Sequence, residues 1–142
     1  MKFAIGFLLI LHGLIVAGQS SGNFGSIAPS GLTNPSWLSW WPMNLGRSWL
    51  LAGLGLERAP ITWVVGLLWL LGGIALTAAG LGAMGVIIPA DWWPSLAISG
   101  AVLSLFMLVV YLHPLMILGT MLSGVILVAL LWAHWLPQLL VP

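Results

Sequence analysis

The chain contains no cysteine and very little charge. Without cysteine there is no disulfide, no thiolate nucleophile and no thiolate-ligated metal. Three basic and two acidic residues make up all of its fixed charge: Lys2, Arg47, Glu57, Arg58 and Asp91. At 4% charged, against about 25% in a typical soluble domain, the chain cannot cover a water-facing surface. From Trp92 to Pro142 there is no Lys, Arg, Asp or Glu.

Each of these gaps excludes a class of function. No pair of carboxylates is available for general acid–base work. A phosphate-binding loop of the glycine-lysine type is missing, since Lys2 is the sole lysine. A net charge of +1 offers no basic patch for nucleic acid, so none is expected as a partner. Ion and proton pathways place ionisable groups inside the membrane, and here the long apolar runs hold no fixed charge. Repeated halves with broken helices, the mark of many secondary transporters, are also lacking. An enzyme or transporter acting alone is not the expectation.

What is present is apolar residues, glycine and tryptophan. Hydrophobic residues make up 61% of the chain, and they gather into runs that predict one all-α, polytopic membrane domain over residues 1–142. Four spans are expected, at about 3–18, 61–85, 94–112 and 114–135. The first would reach roughly 24 Å as a helix, short for a hydrocarbon core about 30 Å thick. With Lys2 before it and Val16-Ala17-Gly18 at its end, this run also has the outline of a secretory signal; His12 in its middle is unusual for one. The last two runs are too long together for one crossing. Pro114 disfavours helix at His113, so a tight hairpin is expected there, with a proline kink as the alternative.

Four spans place both termini on one side. Lys2 and the amino terminus favour N-inside, while Arg47 and Arg58 pull the first loop inside instead; the N-inside arrangement, in a bacterial cytoplasmic membrane, is the expectation. Tryptophan then forms two belts. Trp37, Trp40, Trp41, Trp49 and Trp63 lie on the loop face, and Trp92, Trp93, Trp132 and Trp135 on the terminal face. Trp69 alone lies deep, where packing is its simplest role.

The connection 19–60 is long for so small a protein, and long loops often carry function. Its first part is polar and turn-rich. Trp37 to Leu56 is apolar but interrupted by Pro42 and several glycines, so it reads as a re-entrant or interface-lying segment. A short helix is expected from about Ser48 to Glu57, with Ser48 as its cap. Trp40, Trp41, Arg47, Trp49 and Arg58 are the candidate surface for a partner or for lipid phosphate. The simpler role is a flap that covers the bundle.

Glycine spacing speaks to packing. Gly66, Gly73 and Gly80 recur every seven residues, on one face of span two, where they admit a neighbouring backbone. Gly100 with Ser104, and Gly119 with Ser123, offer small residues four apart on spans three and four. Serine and threonine within the spans can satisfy themselves on the preceding helical turn and are given no role.

One titratable group remains near mid-depth, His12. An intramembrane histidine is a functional candidate: a neutral imidazole can ligate haem iron or chlorophyll magnesium, or hydrogen-bond a quinone. The plain alternative is a hydrogen bond to a neighbouring helix. His113 and His134 lie at other depths, about 14 Å from His12 by helical rise, so no bis-histidine haem is expected. His113 reads as a turn residue, and His134 with Trp132 and Trp135 as an interfacial anchor.

The short first span with Leu11-His12-Gly13-Leu14-Ile15, the Trp/Pro-rich loop with Gly46-Arg47-Ser48-Trp49-Leu50-Leu51, and the three close-packed spans that follow resemble the DoxX-like group of small four-helix membrane proteins. That resemblance implies a four-span fold. Some members of the group resemble subunits of quinone-linked oxidoreductases. The last span here has Thr120 and Ser123 but no acidic residue, and no functional residue is carried over. The leading expectation is a non-enzymatic accessory subunit of a larger membrane complex, with membrane lipids and other membrane subunits as partners. The alternative is a component that contacts a cofactor or quinone in an electron-transfer or light-harvesting complex.

Overall fold

A computed structural model describes residues 1–24 and 33–132. The fold is all-α, and four of its helical segments are long and apolar enough to cross a membrane: Lys2–Gly22, Ala59–Met84, Ala90–Val110 and Pro114–Trp132. The chain is thus a multi-pass helical bundle of the kind that resides in a bilayer. Its helices are α1 (Lys2–Gly18), α2 (Trp49–Gly53), α3 (Ala59–Met84), α4 (Trp93–Val110) and α5 (Ile117–Leu127).

The first span is longer than its apolar run. After α1 a 3-10 turn, Gln19–Gly22, continues the helix. It carries the segment to roughly 33 Å by the rise of the two helix types, enough for a bilayer core. The expected hairpin at His113-Pro114 is present. α4 ends at Val110, His113 is extended at φ −146°, ψ 139° ahead of Pro114, and a 3-10 turn Pro114–Met116 leads into α5. Beyond α5 the final described turns, Val128–Trp132, widen to a π-helix. His134 and Trp135 lie outside the described residues.

The spans are arranged in the order α1, α3, α4, α5, each antiparallel to the next. Residue pairing shows this directly. A methyl group built at Gly13 would meet the Gly73 carbonyl oxygen at 2.6 Å, and one at Gly6 would meet the Gly80 carbonyl at 2.7 Å. In the other direction, a methyl at Gly73 would meet Ala17 N and Gly13 O at 2.5 Å, and one at Gly80 would meet Gly6 O at 2.5 Å. Two glycine pairs seven residues apart therefore bring the backbones of α1 and α3 into contact, with no room for any side chain. α3 meets α4 in the same way at Gly100, where an added methyl would lie 2.8 Å from Leu76 N and 3.0 Å from Gly72 O. The other predicted packing glycines serve differently. Gly66 leaves space for the Phe24 ring, which an added methyl would meet at 2.7 Å, and at Gly119 a methyl would sit at ordinary contact distance from Leu108 and His12. Gly119 therefore does not draw α5 in, because no backbone lies against it.

Outward-facing positions are as apolar as the core. Phe7, Leu71, Ile74, Val102, Phe106 and Val125 are all exposed, which suits lipid on every side rather than water. Trp92 and Trp132 are exposed near the terminal face, but Trp93 is 5% exposed and packs beneath Gly82, so it is a core residue rather than part of a belt.

Glycines in the left-handed region end two helices. After α2, Gly55 (φ +66°) lets Leu56 N return to Leu51 O at 2.9 Å; after α3, Gly85 (φ +73°) does the same for Val86 N and Leu81 O at 2.9 Å. A branched residue, Ile87, follows at φ +65° within a tight turn closed by Ile88 N to Val86 O at 2.7 Å, a conformation with a steric cost for isoleucine.

Candidate functional site: a lateral cleft and the loop that closes one end

The order α1–α3–α4–α5 leaves the first and last spans separated by a cleft. A cavity of about 340 Å³ occupies it, within the range of small-ligand sites. Its floor is buried: Trp69 of α3 is 1% exposed, Leu108 of α4 4% and Val16 of α1 2%. Its rim, with Leu11 and Ile15 on one side and Leu118 on the other, is exposed. The cavity thus opens sideways, toward the lipid. Gly119 lines it, and the side chain it lacks is part of the space.

His12 is the titratable group of this wall, and Gln19 also lines it. His12 is buried, yet it lines the cavity. Its Nε2 lies 2.9 Å from Ser123 Oγ, and Ser123 Oγ lies 3.1 Å from Ser104 Oγ. A chain of three polar side chains therefore joins α1, α5 and α4 at mid-bundle. Ser104 and Ser123 correct the expectation that span hydroxyls satisfy themselves on their own helices. Thr77, Ser99 and Thr120 do bond the carbonyl four residues before them. Ser104 and Ser123 instead bond one another, and Ser123 bonds His12 as well. Among the described residues no three His, Cys, Asp or Glu side chains come together as a metal site.

The long loop is fastened over the end of the bundle where α4 turns into α5. An α-helix leaves its last carbonyls without helical partners, and the loop supplies donors to two of them, of which Val109 O also accepts from Leu112 N at 3.3 Å. Ser48 Oγ donates to Val110 O at 2.8 Å, and Trp49 Nε1 donates to Val109 O at 2.8 Å. Ser48 also caps α2 by accepting from Leu51 N at 3.1 Å. The predicted cap is therefore present. The helix it starts is shorter than the expected Ser48 to Glu57, because Gly53 and Gly55 end it.

A second attachment runs through His113. Leu115 N donates to His113 Nδ1 at 3.2 Å, so the neutral ring carries its proton on Nε2 and donates it to Asn34 Oδ1 at 3.0 Å. Asn34 Nδ2 then donates to Trp41 O at 3.2 Å and Met43 O at 3.0 Å. His113 is thus a turn residue that also holds the loop. Tyr111 OH donates to Asn23 Oδ1 at 3.0 Å. Burial, followed by the negative charge of Glu57, pushes this phenol up to about 12, which keeps it a neutral donor.

The predicted interface residues separate into two groups. Arg47 is engaged: its guanidinium donates to both oxygens of Glu57 at 3.2 Å, closing the apolar segment at its two ends. Trp49 is committed to α4. Trp41 packs edge-on against Trp40 and His113, and its indole N–H is occluded and has no partner among the described residues. Trp40 and Arg58 remain exposed. Nothing in the sequence marks the carbonyl attachments, because their acceptors are backbone atoms.

The His113 attachment predicts a pH response. Burial holds His113 below its ordinary value of 6.5. A lowered value means that the neutral form is favoured in the fold, so its contribution is fully present above pH 6.5 and is lost as pH falls through the folded-state value, when protonation at Nδ1 removes the acceptor of Leu115 N and places a charge on the buried ring beneath the loop. Tryptic cleavage at Arg47 should accelerate on acidification below about pH 6.5, beyond the change seen with a denatured control peptide, and His113→Phe should remove that acceleration. A cleavage rate ratio that stays flat with pH would rule this out.

Comparison of the chain with protein-family models, with curated proteins and with solved structures yields no match. The function must therefore be argued from the cleft and the loop.

Proposed function

We propose that the protein is a non-enzymatic accessory subunit of a larger membrane complex, and that its contribution is to hold a lipophilic cofactor, with a quinone the best fit, in the cleft between α1 and α5. The observation that carries this reading is the laterally open apolar cavity with a single buried imidazole in its wall. Such a pocket is shaped for a molecule that arrives through the bilayer: mostly hydrocarbon, with one polar point to be recognised.

Among the expected cofactors the geometry favours a quinone over haem or chlorophyll. His12 Nε2 is already bonded to Ser123, so a metal at that nitrogen would have to break the bond. A quinone uses the arrangement as it stands. The loop supports the subunit role, because its order comes from attachments to α4 and it still leaves Trp37 and Trp40 exposed at one face of the bundle. The DoxX-like resemblance, a bacterial cytoplasmic membrane and an N-inside orientation belong to the same proposal. Gentle solubilisation from native membranes followed by native electrophoresis tests it. The protein should migrate within a larger assembly and release a quinone on solvent extraction. Migration only as a free small protein, with a colourless and quinone-free extract, would overturn it.

A further inference from the structure

The hydrogen atoms of the His12–Ser123–Ser104 chain do not balance. Neutral histidine brings one N–H and each serine one O–H, which makes three donors. The chain contains two hydrogen bonds, His12 Nε2···Ser123 Oγ and Ser123 Oγ···Ser104 Oγ. One donor is left over in every arrangement. If Nε2 carries the proton, His12 donates to Ser123 and the surplus is a serine O–H: that of Ser104 if Ser123 donates on to it, that of Ser123 if Ser104 donates to Ser123 as well. Ser104 is 1% exposed and Ser123 0%, and neither bonds its own helix, so that hydrogen would be buried without an acceptor, which is costly. If Nδ1 carries the proton, donation runs from Ser104 to Ser123 to Nε2. Both hydroxyls are then used, and the surplus is His12 Nδ1–H.

The second arrangement places the spare donor where a ligand can reach it. His12 Nδ1 has no hydrogen-bond partner among the described residues. Trp41 Nε1 is the only occluded side-chain nitrogen or oxygen there that lacks a partner, so Nδ1 is not occluded, and His12 lines the cavity. The rest of the wall is aliphatic, apart from Gln19 and the indole of Trp69, which brings a second N–H.

We infer that the cleft selects lipophilic molecules that carry a carbonyl group, with His12 Nδ1–H donating to the carbonyl oxygen. This rests on the reading of the cleft as a ligand site and narrows it to acceptor-bearing ligands. A ligand whose polar group can only donate, such as an ammonium, is disfavoured, because accepting its hydrogen at Nδ1 forces the proton to Nε2 and strands a serine O–H. Ser123 and Ser104 are positioning residues: they fix the tautomer and touch no ligand.

The test uses the full chain in lipid nanodiscs and two probes, a long-chain alkyl phenyl ketone and the hydrocarbon in which its carbonyl is replaced by CH2. The ketone should bind the native protein more tightly than the hydrocarbon, and His12→Phe should weaken the ketone about tenfold while leaving the hydrocarbon unchanged, the loss expected for one buried hydrogen bond. Nitrogen-15 resonances of labelled histidine, assigned to His12 by difference from His12→Phe, should report a proton on Nδ1 in the native protein. If His12→Phe does not fold, Ser104→Ala serves for assignment, since Ser104 is joined to His12 through Ser123. If neither probe binds, the ligand reading of the cleft fails and this inference with it. If both bind the native protein with equal affinity, or if His12 is protonated on Nε2, the cleft reading survives and the carbonyl assignment is overturned.

Discussion

Gly73→Ala should destabilise the bundle by about 3 kcal/mol, and Gly73→Leu should prevent it from assembling. The added methyl of alanine would lie 2.5 Å from both Ala17 N and Gly13 O and 2.6 Å from Ala17 Cβ. Two of these three atoms are backbone, so a side-chain rotation cannot relieve the clash. α1 and α3 must separate, and their separation also opens the Gly6–Gly80 contact one heptad away. In a bilayer this matters more than in water, because lipid contact gives no hydrophobic drive to bring helices back together and association depends on close packing. Gly124→Ala is the control: nothing lies within 4 Å of its added methyl, and alanine is the better helix former, so stability should hold or rise slightly. Reversible unfolding in mixed detergent micelles measures both. Equal stability for Gly73→Ala and Gly124→Ala would show that α1 and α3 do not touch at these glycines.

The second large effect is expected at Ser48. Ser48→Ala removes the α2 cap and the donor to Val110 O at once. Loss of an N-cap costs about 1 kcal/mol, and leaving a buried carbonyl without its partner costs about as much again. The combined effect of roughly 2 kcal/mol falls on the loop rather than on the spans. Amide exchange at Leu51 should quicken, and trypsin should cut at Arg47 earlier, while the thermal transition of the bundle moves little. Thr62→Ala removes an exposed hydroxyl that bonds only Ala59 O on its own helix, and it should leave both readouts unchanged. Exchange at Leu51 that is the same in Ser48→Ala and the native protein would contradict the attachment.

How much of this could be read in advance depends on the kind of interaction. The spans were legible because charge and apolar runs are local properties, and the hairpin because Pro114 acts on the residue beside it. The α3 side of the α1–α3 contact was legible from the seven-residue spacing of Gly73 and Gly80. Gly6 and Gly13 repeat the same spacing on α1, and that signal was there to be used. The cleft was not legible. Helices that are apolar all round do not reveal how they are rotated about their axes, and that rotation decides whether Ser123 meets His12 or faces lipid. His12 stood out by itself as a polar group at depth, but Ser104 and Ser123 looked like any span hydroxyls. The loop attachments were hidden for another reason: Ser48 and Trp49 bind carbonyls of Val110 and Val109, and a carbonyl has no signature in the sequence.

If lipophilic molecules enter the bundle between its first and last spans and rest on its floor, photolabelling will show it most directly. A lipophilic ketone bearing a diazirine is irradiated with the protein in vesicles, and the adducts are located by peptide mass spectrometry. Adducts are expected on the buried floor, at Trp69, Leu108 and Val16, and excess unlabelled ketone should displace them. Adducts spread evenly over the lipid-facing Phe7, Leu71, Val102 and Phe106, with none on the floor and no displacement, would contradict entry into the cleft.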